Sequence, residues 1–296
     1  MKYAVIDIGS NTIRMSLFNE EAGSIKELLN KKSTAGLASY VKSGYMTQKG
    51  IDKLIRILNN FLRIAYEFDF EKILMFATAS LRNIENKDEV LSTVEREVGH
   101  KIDLIDGERE ALYGYVGLSE EYDVVCGTMI DIGGGSTEIT IIKDGAIANE
   151  VSLPEGSLSL FTKYSSNLFP KKSEIKDMKN QIRQLLKPFK LKMKNVNVLY
   201  GAGGTARAAG NIAMELNQLP SNRDIPAEFI YKMFDKLISK DKEVISQVLK
   251  VAPDRIHTII PGLVILVEIL RKTGAEKLLI SKNGIREGYL ISYLKE

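Results

Sequence analysis

The deciding stretch of this sequence reads Met129-Ile-Asp-Ile-Gly-Gly-Gly-Ser-Thr-Glu138. Apolar residues run up to Asp131, small residues follow, and alternating apolar residues resume at Ile139, which predicts a strand, a tight turn and a second strand. Glycine lets a backbone take positive φ and approach another group closely, so three in a row can point successive N–H donors into one small space. Such a turn suits an anion, and the alternative is a plain hairpin turn without a ligand.

Asp131 ends the first of these strands. A carboxylate cannot itself attract phosphate, because like charges repel. We therefore interpret Asp131 as a ligand of a hydrated divalent cation that a phosphate also contacts. The candidates for binding the phosphate are the residues of the turn: Gly133, Gly134, Gly135, Ser136 and Thr137.

The same pattern occurs near the start of the chain, where residues 5–17 superpose without a gap on residues 129–141. An aspartate, an isoleucine and a glycine recur at the same offsets. Two such units predict two similar α/β domains whose phosphate-binding turns face each other across a cleft. The position of Arg14, just past the first turn, leaves open whether its side chain reaches the cleft or lies in solvent. The candidates in this first copy are Asp7, Gly9, Ser10, Asn11, Thr12 and Arg14.

Length and composition agree with two domains. At 296 residues, 44% of them hydrophobic and 27% charged, the chain is long enough for two cores and typical of globular proteins. We place the domains at residues 1–121 and 122–296, with the last helix able to pack back on the first domain. A net charge of +3 is too small to indicate nucleic-acid binding, but it does not oppose a polyanionic substrate.

Cysteine and histidine usage excludes several kinds of site. The single cysteine, Cys126, cannot form an intrachain disulfide, and its apolar neighbours predict a buried side chain. The two histidines, His100 and His257, form no zinc-binding pattern. The N-terminus enters a strand directly, and the longest apolar run, residues 259–267, contains proline and glycine. We therefore expect no signal peptide, no membrane span and a cytoplasmic protein.

A predicted strand at residues 72–77 ends in Thr78-Ala-Ser-Leu-Arg-Asn83. Open α/β sheets usually bind their ligands just past the carboxyl ends of strands. We interpret Arg82 as a clamp on a substrate phosphate, because a guanidinium fork matches phosphate oxygens. The alternative is a surface arginine at the start of a helix.

Another predicted strand end leads into Asp106-Gly-Glu-Arg-Glu-Ala-Leu-Tyr-Gly114. Carboxylates in the first turn of a helix ordinarily complement the helix dipole. The functional alternative is that one of them is a general base that deprotonates an attacking water. Spacing alone does not separate Glu108 from Glu110.

A third strand, predicted at residues 196–200, leads into Gly201-Ala-Gly-Gly-Thr-Ala206 and a helix. Alone, this pattern matches the dinucleotide-binding fingerprint, but no acidic residue ends a second strand about twenty residues later, as ribose binding requires. We therefore favour backbone amides at a helix N-terminus that bind another phosphate, with Gly203, Gly204 and Thr205 as candidates.

Six motifs of this chain resemble, in order, those of the exopolyphosphatase / guanosine pentaphosphate phosphohydrolase family. The resemblance runs over essentially the whole chain. The motifs are Asp7-Ile-Gly-Ser-Asn11, Ala77-Thr-Ala-Ser-Leu-Arg82, Gly107-Glu-Arg-Glu-Ala111, Asp131-Ile-Gly-Gly-Gly-Ser-Thr-Glu138, Gly201-Ala-Gly-Gly-Thr205 and Gly284-Ile-Arg-Glu-Gly288.

The resemblance implies an α/β protein of two actin-like domains, the ASKHA or ribonuclease H-like fold, with a cleft between them. It assigns the general base to Glu110, the glutamate directly before the alanine of the Gly-x-x-Glu-Ala segment. It also implies that Asp131 and Glu138 serve the metal and water side, and that the two glycine turns and Arg82 hold phosphates. A homodimer is a further suggestion of the family.

Several features depart from the family pattern or stay open. Arg109 stands where many relatives have a second glutamate, and Leu112 where they have an arginine, which changes the charge around the base. The C-terminal helical domain of longer relatives is missing from this sequence, so we expect weaker processivity on long chains. The sequence leaves open whether Arg286 and Glu287 pair with each other or face the cleft.

The function that we predict is Mg²⁺-dependent hydrolysis of the terminal phosphoanhydride of inorganic polyphosphate by in-line attack of water. Guanosine pentaphosphate is the alternative substrate, and we expect no nucleic-acid or membrane partner. A kinase that uses ATP and a non-catalytic nucleotide sensor are the other classes on this fold. The lysine-rich residues 171–194 either form a solvated helix face or steer the polyanion.

Overall fold

The computed structural model describes residues 1–70, 72–191 and 196–296. The chain folds into two compact units. Unit 1 comprises Met1–Gly117 together with Ile285–Glu296, and unit 2 comprises Leu118–Gly284.

Unit 1 is built on a mixed five-stranded sheet. Its strand order is β3-β2-β1-β6-β7, in which β1 pairs with β2 in antiparallel fashion and with β6 in parallel, and β6 and β7 are also parallel. A separate two-stranded hairpin, β4 with β5, precedes the first helix. The strands are β1 (Lys2–Ile8), β2 (Thr12–Glu21), β3 (Ser24–Thr34), β4 (Val41–Lys42), β5 (Tyr45–Met46), β6 (Lys72–Ala77) and β7 (Asp103–Leu104).

The helices of unit 1 cover both faces of this sheet. Side chains of β1 alternate between two apolar clusters: Ala4, Ile6 and Ile8 pack with α1 and α3, while Tyr3 and Val5 pack with α4 and α11. The helices are α1 (Gln48–Glu67), α2 (Ala79–Arg82), α3 (Lys87–Val98), α4 (Gly107–Ser119) and α11 (Ile285–Lys295).

The helix α11 is the last element of the chain, yet it belongs to unit 1. A Cβ on Gly288 would lie 1.7 Å from the carbonyl oxygen of Tyr113, so the backbones of α11 and α4 are in direct contact there. Only glycine permits an approach this close.

Unit 2 is built on a mixed six-stranded sheet with the order β10-β9-β8-β11-β13-β12. The strands β8, β11 and β13 are parallel, and the other pairings are antiparallel. The strands are β8 (Gly127–Ile132), β9 (Thr137–Lys143), β10 (Ala146–Leu153), β11 (Val198–Ala202), β12 (Asp224–Pro226) and β13 (Lys277–Ile280).

One helix lies at the centre of the core of unit 2. It is α10 (Ile259–Thr273), which is buried on nearly every side and packs against most of the other helices. A helix that is apolar all round is typical of such a central position. The other helices are α5 (Ser157–Tyr164), α6 (Lys172–Leu186), α7 (Gly203–Asn217), α8 (Ala227–Ile238) and α9 (Lys242–Val251).

The structure corrects one expectation from the sequence. Cys126 is exposed instead of buried, because β8 begins only at Gly127 and the cysteine lies in the bend before it. Pro261 lies in the first turn of α10, where proline is tolerated because the amide of that position has no partner within the helix. Across the described ranges, no helix combines the length and the hydrophobicity needed to cross a bilayer.

Candidate functional site

Three parallel strands of unit 1 end at one edge of its sheet. β1, β6 and β7 lie side by side, with Ile8 beside Ala77 and Ala77 beside Leu104. The segments that follow them, residues 9–12, residues 78–82 and the start of α4, therefore begin at the same edge. This is the edge at which open α/β sheets bind ligands.

Unit 2 repeats this arrangement with β8, β11 and β13. Ala202 lies beside Asp131, and Gly201 lies beside Ile280. The glycine turn at residues 133–136, the start of α7 and residues 281–284 therefore leave the sheet of unit 2 at one edge. Each unit thus groups, at a single edge, three of the segments that the sequence motifs singled out.

The two glycine turns have the same local geometry. The amide of Gly9 donates to the carbonyl of Thr12 at 3.1 Å, and the amide of Gly133 donates to the carbonyl of Ser136 at 3.0 Å. The sequence repeat is therefore also a structural repeat. The expectation of positive φ is wrong, since none of residues 133–135 has it. Glycine serves close approach instead, because a Cβ on Gly133 would lie 3.1 Å from the carbonyl oxygen of Ser136.

Neighbouring segments hold the carbonyl groups of both turns. In unit 2, the amides at the start of α5 donate to Gly133 and Gly134 at 2.9 Å. In unit 1, amides within residues 35–38 donate to the carbonyls of Ser10 and Asn11 at 2.9–3.1 Å. A trans peptide points its C=O and the following N–H in opposite directions, so the next amides of each turn point away from these segments. That direction suits a nest of donors for an anion.

The charges beside the two turns differ. In unit 2, Asp131 on β8 lies directly opposite Glu138 on β9, and the hydroxyl of Ser152 donates to Glu138 Oε1 at 3.2 Å. In unit 1, the residue opposite Asp7 is Arg14. Like charges directly opposite each other in a sheet are destabilising, whereas opposite charges are favourable. Unit 2 is therefore the one whose carboxylate pair fits a divalent cation.

This pair is a small donor set. The described residues include no cluster of three or more histidine, cysteine or acidic side chains suited to holding a metal ion. Two carboxylates nevertheless fit Mg²⁺, which usually keeps several waters and binds through one or two carboxylates plus the phosphates of its substrate.

The start of α7 makes room for two charged side chains. A Cβ on Gly203, which has φ of +75°, would lie 1.9 Å from the carboxylate of Asp131. A Cβ on Gly204 would lie 1.9 Å from the guanidinium of Arg255. The two glycines thus admit an anionic and a cationic side chain at this helix N-terminus. No local pattern in the sequence marks Arg255, because it is 51 residues away from Gly204.

Two threonine hydroxyls of the predicted site donate hydrogen bonds to backbone carbonyls. Thr137 is fully buried and donates to the carbonyl of Glu155 at 2.8 Å, while Thr205 donates to the carbonyl of Ile132 at 3.0 Å. Any contact of these residues with a phosphate would therefore use their backbone amides.

The structure separates the two glutamates at the start of α4. Glu108 is exposed, whereas the side chain of Glu110 is 13% exposed and its Oε2 lies 3.2 Å from Arg82 Nη1. The same Nη1 donates to the carbonyl of Ile105 at 2.9 Å. The predicted base and the predicted phosphate clamp are thus in direct contact within unit 1.

Arg109 and Leu112 are the two residues that depart from the family pattern. Arg109 binds Asp103 through both of its terminal nitrogens, at 2.8 and 2.6 Å, and also contacts the hydroxyl of Tyr113. The hydrogen bonds with Asp103 raise the pKa of Arg109. Leu112 is exposed. On the same side of the unit, burial raises the pKa of Tyr289, whose hydroxyl donates to Asp103 at 3.1 Å.

Two further candidates, Arg14 and Arg286, lie on the side of the sheet of unit 1 that carries α11. Arg286 is buried, and its Nη1 donates to the hydroxyl of Ser16 on β2 at 2.8 Å. Arg14 and Ser16 are two residues apart in the same strand, so their side chains lie on the same face of the sheet. Arg286 is thus positioned by β2.

Together, two α/β units with matching strand order around β1 and β8, each with a glycine turn at its ligand-binding edge, define a protein of the actin-like class. Residues 16–296 match the model of the Ppx/GppA phosphatase family. The chain therefore belongs to the Ppx/GppA phosphatase family, which confirms the resemblance found in the six motifs.

Relatives and solved structures agree with this placement. Exopolyphosphatase 1 of Mycobacterium tuberculosis and that of Mycobacterium bovis are each 32% identical to this chain over 161 residues, which are 53% of this chain and 47% of each relative. The match thus spans about half the length of these curated relatives.

Two crystal structures cover the chain almost completely. The Aquifex aeolicus member of the Ppx/GppA family is 27% identical, with a TM-score of 0.82 over 100% of this chain and 98% of that one. An exopolyphosphatase from Cytophaga hutchinsonii has a TM-score of 0.86 over the same shares at 20% identity, a likeness of fold alone. The predicted α/β, actin-like fold class is confirmed.

Proposed function

We propose that this protein hydrolyses the terminal phosphoanhydride of inorganic polyphosphate and releases phosphate, with Mg²⁺ as cofactor, in the cytoplasm. The observation that carries the proposal is the contact of Arg82 with Glu110 at 3.2 Å, at the ligand-binding edge of unit 1. Such hydrolysis needs two groups: a cation that binds phosphate and a carboxylate that accepts a proton from water. The names of the mycobacterial relatives agree with this reaction.

In this proposal, Glu110 is the general base. Water attacks the terminal phosphorus, the P–O bond to the remaining chain breaks, and a proton of the water passes to the carboxylate. The contact with Arg82 holds the carboxylate in one orientation, and the orientation of a base matters as much as its basicity. Among the described residues, the exposed Glu108 has no such partner.

Arg82 has a second role in the proposal. Within the described parts of the chain, both hydrogen bonds of Arg82 use Nη1, one to the carbonyl of Ile105 and one to the carboxylate of Glu110. Its Nη2 and Nε are therefore the donors available for a phosphate oxygen. A planar guanidinium can serve both partners at once, because its donors form a fixed fork.

The backbone amides of residues 9–12 and 133–137 would stabilise the charge on the transferring phosphoryl group and its neighbours. The carbonyl contacts described above fix these turns before a substrate arrives. Donors that need no reorganisation during the reaction give the largest electrostatic benefit. Gly203 and Gly204, at the N-terminus of α7, would contribute in the same way.

Asp131 and Glu138 are the residues that would hold Mg²⁺. When bound, the ion neutralises charge on phosphate oxygens. The direct opposition of these two carboxylates across β8 and β9 is the support for this assignment. Ser152 would keep Glu138 in place through its hydrogen bond of 3.2 Å.

The test is phosphate release from polyphosphate, measured with Mg²⁺ and again with the ion removed by a chelator. We expect release that requires the ion and shortens the chain from its ends. Guanosine pentaphosphate is assayed beside it as the second candidate, because the family that the chain belongs to is named for both activities.

The other outcomes of this assay are distinct. Release from guanosine pentaphosphate alone would move the assignment to a nucleotide 5′-phosphohydrolase. Transfer from ATP to an added acceptor, without hydrolysis of either substrate, would indicate a kinase. Tight binding of a nucleotide with no phosphate released would indicate a sensor, and either of these last two results would overturn the hydrolase proposal.

A further inference from the structure

Two buried hydroxyls make the same contact in the two units. In unit 1, Ser80 Oγ donates to the carbonyl of Ile8 at 2.5 Å. In unit 2, Thr205 Oγ1 donates to the carbonyl of Ile132 at 3.0 Å. Both side chains are buried, with exposures of 7% and 1%. Each carbonyl belongs to the residue directly before a glycine turn.

The peptide groups that receive these hydroxyls are also held at their other end. The N–H of the Ile8–Gly9 peptide donates to Thr12 at 3.1 Å, and the N–H of the Ile132–Gly133 peptide donates to Ser136 at 3.0 Å. A peptide group is planar, so two bonds at opposite ends fix the orientation of its plane. Each glycine turn therefore starts from a peptide that cannot rotate without breaking a buried hydrogen bond.

Two helices of different length make this contact, so it does not follow from the geometry of one kind of helix. Ser80 lies in α2, a helix of four residues, and Thr205 lies in α7, a helix of 15 residues. In both units the hydroxyl comes three residues after an alanine that ends a parallel strand, Ala77 or Ala202.

The side chain that follows supports the same correspondence. Two residues beyond each hydroxyl stands an arginine, Arg82 or Arg207. Arg82 Nη1 donates to the carbonyl of Ile105, just after β7, and Arg207 Nη1 donates to the carbonyl of Lys282, just after β13. The segments 77–82 and 202–207 are therefore a second duplicated element, beside the glycine turns.

We infer that Ser80 and Thr205 are positioning residues, whose hydroxyls lock the first peptide of each glycine turn so that the amides of the turn are oriented for phosphate. This inference rests on the proposed function for its kinetic part. Its structural part, the locking of the turns, does not depend on any substrate. Groups that orient a binding site from behind act by removing the need for reorganisation.

Thr205 allows the hydroxyl to be separated from the volume of the side chain. A Cβ on Gly262 would lie 2.6 Å from its methyl group, so the methyl packs tightly on α10. Thr205→Val keeps that packing and removes the donor, whereas Thr205→Ser keeps the donor and removes the methyl. We expect Thr205→Val to lower kcat by roughly three- to tenfold, the effect of one lost hydrogen bond, while Thr205→Ser stays close to wild type.

The second readout is amide hydrogen exchange of the protein without substrate, followed in peptides that cover each turn. Thr205→Val should speed exchange at residues 133–136 and leave exchange at residues 9–12 unchanged. Ser80→Ala should speed exchange at residues 9–12 and leave exchange at residues 133–136 unchanged. Thr273→Val is the control, because Thr273 is buried in the same unit and its hydroxyl donates to Ile269, within α10. It should speed exchange in neither turn.

The inference is overturned if Thr205→Val leaves exchange at residues 133–136 as in wild type, or if Thr205→Ser changes kcat and exchange as much as Thr205→Val does. A wild-type protein that releases no phosphate from polyphosphate or guanosine pentaphosphate would instead refute the proposed function. The exchange measurement would still decide whether the hydroxyls lock the turns.

Discussion

The pair formed by Glu110 and Arg82 shows how much one contact can add at the scale of single residues. Two glutamates stand two positions apart in the first turn of α4, and both complement the helix dipole equally well. Only Glu110 turns toward Arg82, at 3.2 Å, while Glu108 faces solvent. The contact makes Glu110 the better candidate for the base, in agreement with the family motif.

Replacing Glu110 tests this role. Glu110→Gln keeps the shape of the side chain but removes its ability to accept a proton, so we expect kcat for phosphate release to fall by about 10²–10⁴-fold with little change in substrate binding. Glu108→Gln is the matched control in the same helical turn, and it should retain nearly all activity. A fully active Glu110→Gln protein would remove Glu110 from the role of base.

At the scale of elements, duplication extends beyond the glycine turns. Besides the segments 77–82 and 202–207, a third pair follows the strands β7 and β13. Gly107-Glu-Arg-Glu110 corresponds to Gly284-Ile-Arg-Glu287, and each lies at the start of a helix. Glu287 therefore takes the place of Glu110 in the repeat, and it is buried. The two copies have diverged: Arg109 binds Asp103, whereas Arg286 binds Ser16.

The lysines that follow α6 give a prediction about long substrates. Lys187 and Lys190 are exposed, and Lys192 lies outside the described residues. If these charges attract a polyanion, reversing Lys187 and Lys190 to glutamate should lower activity on long polyphosphate more than on short chains. The difference should shrink as salt is added, because screening removes such attraction beyond about 10 Å at 0.1 M.

The control for this prediction reverses two other exposed lysines by the same total charge. Lys26 and Lys31 lie on β3, the edge strand of unit 1. Initial rates are compared for both double variants on long and short polyphosphate at several salt concentrations. If reversing Lys187 and Lys190 lowers activity equally on long and short chains, these lysines do not steer the substrate.

At the scale of the whole molecule, unit 1 is not one continuous stretch of the chain, because it combines the N-terminal part with the last helix. Unit 1 is closed by α11, whose Tyr289 and Leu290 join β1 and β6 in one apolar cluster. The strand just before it, β13, belongs to the sheet of unit 2. The chain therefore returns to unit 1 within residues 281–285. The facing of the two glycine turns across a cleft stays a prediction.

This organisation predicts how stability is distributed. Leu290 and Leu278 are both fully buried, twelve residues apart, but belong to different units. Either change to alanine should cost about 2–5 kcal/mol, the usual range for a buried leucine. We expect Leu290→Ala to speed hydrogen exchange in β1 and β6, and Leu278→Ala to speed it in β8 and β11. The same exchange pattern in both variants would contradict the division.

Much of the architecture was determined by the sequence alone. The alternation of apolar residues around Asp131 and Asp7 specified two strand–turn–strand units, because a strand has a period of two and its turn is a local feature. The family motifs were equally local. From these patterns followed the fold class, the duplication and most of the candidate residues.

The tertiary structure decided what depends on contacts between distant parts of the chain. The contact of Glu110 with Arg82 and the place of Arg255 beside Gly204 both required coordinates. Ser80 lies 72 residues from the carbonyl it binds, and Thr205 lies 73 from its own. Local periodicity carries no information on such pairs, because folding brings them together only when the strands between them have taken their places in the sheet.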